Sequence, residues 1–208
     1  RLVKFGTNSR YYYVAATEIT KEGTKNYDYA YKVLDIVNKE RKANRLDPLT
    51  MDKELLESAM TRAVELSVKF SHDRPTGLSC FSITSKMDGE NIAMPYSTPE
   101  AVMDAWMFSS GHKANILGSG YKSIGIGCFV VNGNVYWVQC FGTGEAEQVT
   151  KSNNKTGQYS IYVGDEYIKL TTNPENKRLK PNEKATITIY NNGAKCNANC
   201  ASYTSTDN

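Results

Sequence analysis

A chain of 208 residues has room for one medium domain and a smaller piece. Hydrophobic residues make up 40% and charged residues 23%, the balance of a chain that builds a core, which argues against global disorder. The net charge of +3 is scattered among acids without a basic stripe, and no apolar run approaches the ~18 residues of a membrane helix, so neither a nucleic-acid partner nor a transmembrane segment is expected.

The chain starts at Arg1 with no charged-then-apolar leader, so any signal peptide is expected to have been removed or to lie outside this sequence, and its absence does not argue against export. Residues 1–27 read as an N-terminal arm with one β-prone run, Tyr11 to Ala16, followed by a polar stretch ending in Gly23-Thr24-Lys25-Asn26. From Asp28 the period becomes helical, with Ala30, Leu34, Val37 and Arg41 on one face and a stop before Leu46-Asp47-Pro48. Asp52 is the expected N-cap of a second helix, whose apolar face carries Leu55, Ala59, Ala63, Leu66 and Phe70 and which ends near Ser71-His72. After an irregular stretch, Ser97-Thr98-Pro99-Glu100 carries a helix start, with a hydroxyl cap, an early Pro and a Glu three positions after Ser97. That helix runs to about Trp106 or Phe108. A short fourth helix is bracketed by Ser109-Ser110 and Gly118, placing His112 in its first turn.

Ser123 to Val131 and Val135 to Phe141 are β-rich runs joined by Asn132-Gly133-Asn134, residues that accept the positive φ of a tight hairpin. Apolar residues on both faces of these runs suit a sheet covered on each side. Residues 145–157 read as a linker. Residues 158–208 read as a small β-rich segment with strands over Tyr159 to Leu170 and Ala185 to Tyr190. Some 50 residues bury too little to stand comfortably alone, so this segment either docks on the main domain or is part of an Ig-like module.

The five cysteines, Cys80, Cys128, Cys140, Cys196 and Cys200, show no CxxC or zinc-finger spacing, which leaves disulfides or buried thiols. A pairing of Cys80 with Cys140 is favoured and Cys196 with Cys200 is sterically feasible, but spacing fixes no connectivity. The only two histidines, His72 and His112, both fall at helix boundaries, where pockets form.

Several motifs occur in a telling order: Ser71-His72-Asp73-Arg74-Pro75, Gly89-Glu90-Asn91-Ile92-Ala93, Trp106 to Leu117 with Gly111-His112 inside it, Ile124-Gly125-Ile126-Gly127, and Tyr136 to Gly142. With Val37-Asn38-Lys39-Glu40-Arg41 on the first helix, residues 28–144 resemble the bacterial extracellular branch of the CAP superfamily, also called SCP/TAPS or PR-1-like. The resemblance implies an α/β (α+β) fold, a three-layer α/β/α sandwich around a central, mostly antiparallel sheet, with the small β unit appended. It also implies a surface cavity with two His and two acids, which in some members holds a divalent metal, often zinc. His72, Glu90 and His112 match three of the four positions. Ser109 stands where the second acid is expected, so the tetrad is reduced.

Two imidazoles and a carboxylate make a ligand count suited to Zn²⁺ or another divalent cation, with an open position for water. The Ser109 hydroxyl cannot replace the missing base, and Glu90 cannot easily be both ligand and base. The expected cavity residues are therefore His72, Glu90, His112, Ser109 and Asn91, with His72, His112 and Glu90 as the metal set and no catalytic residue assigned. Glu90 has an equally good reading as a loop lock, Asn91 and Asn115 as loop ties, and Trp106 and Trp137 as core. The leading expectation is a secreted or cell-surface protein that binds a lipid, a wall glycan or a protein partner at this cavity. A zinc-dependent hydrolase or protease using the same cavity is the alternative. A Cys/His hydrolase and an adhesive surface protein with the β tail as spacer are poorer readings.

Overall fold

The computed structural model describes residues 2–5, 12–173, 186–191 and 194–195, with side chains from 16 to 164. Nine strands form one sheet: β1 (Leu2–Phe5), β2 (Tyr12–Lys25), β3 (Thr50–Met51), β4 (Gly89–Ala93), β5 (Ser123–Val131), β6 (Asn134–Gly142), β7 (Lys155–Asn173), β8 (Thr186–Asn191) and β9 (Ala194–Lys195). Their order is β4-β6-β5-β2-β7-β8-β9, with β1 on β2 and β3 on β5. Every ladder is antiparallel except β3 with β5. Four helices cover it: α1 (Tyr27–Ala43), α2 (Lys53–Leu66), α3 (Pro99–Phe108) and α4 (Ser110–Ile116).

The strand period of two divides the core into two layers. On β5, Ile124, Ile126 and Cys128 pack with Val33, Val37, Val102, Met103 and Trp106 of α1 and α3, and Trp137 of β6 joins them. Phe129, with Val138 and Cys140 of β6, packs with Leu55, Ala59 and Ala63 of α2. This is the expected three-layer α/β/α sandwich. The glycines of Ile124-Gly125-Ile126-Gly127 let α2 touch the sheet backbone. A Cβ on Gly125 would lie 2.0 Å from the Leu55 carbonyl, and one on Gly127 would lie 2.0 Å from that of Ala59. Close approach, and no special φ, is why small residues stand there.

Local signals set most element ends. Asn26 and Asp52 cap α1 and α2 by accepting the backbone N–H of Tyr29 and Leu55. Thr98, not Ser97, caps α3, with Pro99 in the first turn. The β5–β6 hairpin closes on Asn132 and Gly133 at φ of 49° and 76°, the positive values that these residues tolerate.

Three expectations are corrected. Helix α2 stops at Leu66, well before Ser71, so Phe70 lies off the apolar face and is 47% exposed. The favoured Cys80–Cys140 disulfide is not formed: Cys80, Cys128 and Cys140 are buried free thiols. Finally, strand structure begins at Lys155, inside the stretch read as a linker, and β7 pairs with β2 from Lys25↔Lys155 to Tyr13↔Ile168. The polar stretch after Ala16 belongs to that ladder. A long two-stranded pairing needs only alternation and matched backbones, which polar Thr, Lys and Glu supply as well as apolar residues. Cys196 and Cys200 lie outside the described residues.

Candidate functional site

Strand β4 ends the sheet, and its alternation sends neighbouring residues into opposite layers. Glu90 faces α2, and Asn91 faces α4. The site is built around this edge strand from two sides.

On the α2 side, the Glu90 side chain is 1% exposed. Its Oε2 accepts from Arg62 Nε at 2.8 Å, and its Oε1 accepts from His72 Nδ1 at 2.8 Å and from Arg62 Nη2 at 3.4 Å. A carboxylate only accepts, so the ring proton facing it sits on Nδ1, and in the neutral ring the lone pair is then on Nε2. The His72 side chain is 58% exposed. Arg62, fully buried on α2, also donates to Glu65 Oε2 at 2.8 Å and to the Ser71 carbonyl at 2.7 Å. Burial opposes its charge, but Glu90 and Glu65 outweigh that and hold the guanidinium above its ordinary value. Glu65 in turn receives Arg74 Nη2 at 2.6 Å and Nε at 3.0 Å.

The segment carrying His72 is folded on itself. Cys80 N–H donates to the His72 carbonyl, Arg74 N–H to the Leu78 carbonyl, and Asp73 bridges to Ser79. Gly77 turns the chain at φ +85°. This places Cys80 against Glu90, with ligand atoms of His72, Cys80 and Glu90 all within 4.8 Å of one another. Burial, then the Glu90 charge, pushes the Cys80 thiol up to about 11, so it stays protonated at neutral pH.

On the other side, neutral amides and one buried cation do the work. The buried Asn91 amide donates to the His112 carbonyl at 3.0 Å and to Gln139 Oε1 at 2.9 Å, and accepts from Asn115 Nδ2 at 2.8 Å. The end of α4 is fastened by buried Arg41, whose guanidinium donates to the carbonyls of Ile116 at 2.8 Å, Gly118 at 2.9 Å and Asp47 at 2.7 Å. His112 is half-buried in the first turn of α4, as expected. Burial, and then the nearby His72, hold its imidazole below the ordinary value, so it is neutral at pH 7.

A sequence model of the CAP family, described as the cysteine-rich secretory protein family, matches residues 34–141. The chain belongs to the CAP family. Within that family it resembles the uncharacterized protein YkwD of Bacillus subtilis, at 39% identity over 121 residues, covering 54% of this chain and 46% of that protein. The chain thus spans less than half the length of this relative. An extracellular protein containing an SCP domain from Bacillus anthracis has a similar fold, with a TM-score of 0.52 at 24% identity over 57% of this chain and 41% of that one. An outer surface protein of Borrelia burgdorferi aligns with a TM-score of 0.49 at 20% identity over 55% of this chain and 90% of that one. No helix among the described residues is long and apolar enough to cross a membrane.

In this CAP domain His72 and Glu90 are in contact, and His112 is near enough to His72 that a charge on that ring would lower its own affinity for a proton. Ser109 joins α3 to α4 without a side-chain capping bond. Asn91 is buried with its amide committed to protein groups, which makes it a tie and not a cavity wall. Glu90 likewise has both oxygens engaged, so its fit to a metal is that of an outer partner orienting His72. Of the three expected metal ligands, Glu90 alone has both donor oxygens taken by protein groups.

Sequence reading missed Arg62, Glu65 and Cys80 as neighbours of the site. A signal for the first two exists: Arg62 and Glu65 stand three apart on a helix and flank Ala63, on a helix whose apolar face already needed Ala59, Ala63 and Leu66. Charges that close to a core face have to be paired.

Proposed function

We propose that this CAP domain acts outside the cell or at its surface as a ligand-binding module, with His72 and His112 as its contact groups and Glu90 as the residue that orients His72. The observation that carries the reading is the His72 Nδ1–Glu90 contact at 2.8 Å, which leaves Nε2 on an exposed ring beside a second, neutral imidazole. A divalent cation of the zinc class would be held by His72 and His112, supplying a Lewis-acidic point for an oxygen-bearing ligand. Glu90 fixes the tautomer, and Arg62 fixes Glu90. Apolar side chains stand close by in the chain: Phe70 precedes His72 by two positions, Phe81 follows Cys80, and Phe108 precedes His112 by four, and all three are exposed. Exposed apolar groups beside a polar site favour a partner with both characters, such as a lipid, a wall glycan or a protein surface.

The hydrolase alternative gains no support, because Glu90 is engaged by Arg62 and His72, Ser109 offers only a hydroxyl and the Cys80 thiol stays protonated. Calorimetric titration of Zn²⁺ into metal-free protein tests the binding reading. One-to-one binding in the wild type, lost in both His72→Ala and His112→Ala, is the expected result. No binding in the wild type, or binding unchanged in either variant, overturns the role given to the two imidazoles.

A further inference from the structure

His72 is held by more than its own carboxylate. Between α2 and the sheet two guanidiniums, Arg62 and Arg74, are interleaved with two carboxylates, Glu65 and Glu90, all buried. Their charges balance, which a buried ionic cluster requires. The order is His72, Glu90, Arg62, Glu65, Arg74, and the last residue returns to the segment that carries the first. Glu65 therefore touches neither His72 nor Glu90, yet it receives two guanidiniums that between them hold both.

We infer that Glu65 and Arg74 are positioning residues for His72, an inference that takes the identity of the site from the reading above but whose geometry is independent of any cation. Glu65 occupies Arg62 Nη1 at 2.8 Å and the Ser71 carbonyl takes Nη2 at 2.7 Å, which together keep Nε on Glu90 Oε2 and leave Nη2 at 3.4 Å from Oε1. That leaves Oε1 for His72 Nδ1. Without Glu65, Arg62 loses the partner of Nη1, and a planar guanidinium facing one remaining carboxylate takes it bidentately. Oε1 is then contested. Arg74 loses the acceptor of its Nε and Nη2 at the same time, which loosens the His72 segment from α2. A ring released from its acceptor can carry its proton on Nε2 instead of Nδ1.

The chain has only two histidines, so long-range ¹⁵N–¹H spectra of the imidazoles report each tautomer separately, with His112 as internal reference. At about pH 8, above the ordinary histidine range, wild-type His72 is expected as the Nδ1–H form. Glu65→Gln is expected to shift it to a mixture richer in Nε2–H and to lower Zn²⁺ affinity about tenfold, with Glu65→Asp restoring much of the wild-type signature. A folded Glu65→Gln protein with the wild-type tautomer overturns the inference, as does an Nε2–H form in the wild type. If Glu65→Gln fails to fold, Arg74→Lys decides, since it keeps the charge but removes the fork: a partial shift supports the inference and no shift overturns it. A wild type that binds no Zn²⁺ but shows these tautomer changes would end the cation reading and leave the positioning role standing.

Discussion

The two histidines are held by different physical means, one by four interleaved buried ions and the other by neutral groups with a single buried cation, Arg41. The segment carrying His72 is fastened by buried ions, from Glu90 through Arg62 and Glu65 to Arg74, whereas α4 with His112 is fastened by neutral amides and by carbonyls that Arg41 collects. A buried ion left alone costs far more than a buried amide left alone, because its solvation in water was larger. The His72 side should therefore be the brittle half of the site, and the His112 side the tolerant one.

The sharpest way to break this contrast is Arg62→Met, which strips the guanidinium from between two buried carboxylates. A loss of about 3–5 kcal/mol is expected from urea unfolding, and a loss below that of an amide would refute the contrast. On the other side, Asn91→Ala leaves the His112 carbonyl and Gln139 short of a donor and should cost about 1–3 kcal/mol. It should leave the His72 tautomer unchanged, and a shift there would show that the two halves are coupled through β4.

The smallest effect concerns acid. Asp52 opens α2, the helix that bears Arg62 and Glu65, and is fully buried. Burial raises its carboxyl, but the backbone N–H groups of Leu55 and Glu147 and the Lys86 ammonium outweigh it and hold the group below its ordinary value. A depressed carboxyl contributes stability above its unfolded value of ~3.9 and loses it as pH falls through the folded value. Asp52→Asn keeps the acceptor of the Leu55 N–H but loses the one shared by the Glu147 N–H and Lys86, so at neutral pH it should cost about 1–2 kcal/mol, while flattening the fall of melting temperature between about pH 4 and 2. An unchanged acid slope would remove Asp52 from this account.

Much of this could be read along the chain. The Asp52 cap and the Asn132-Gly133 turn act over three or four residues, so their positions carry their own meaning. The motif order around His72, Glu90 and His112 pointed to the family. What escaped were relations between distant residues. Phe70 matched the helical period of α2, yet the chain leaves the helix at Leu66 because Ser71 and Arg74 are drawn to Arg62 and Glu65. The β2–β7 ladder joins Lys25 to Lys155 across a separation that no local pattern records.

The sequence by itself determined the helices, the hairpin, the alternating faces of the sheet and the identity of the two imidazoles, because these follow from backbone periods and from residues adjacent in the chain. Only the tertiary structure decided that Glu90 is bonded to both Arg62 and His72, that Asn91 points the other way, and that Cys80 remains a thiol. Those outcomes depend on which partner reaches a buried group first, and a carboxylate can be committed to Arg62 only once α2 lies on the sheet.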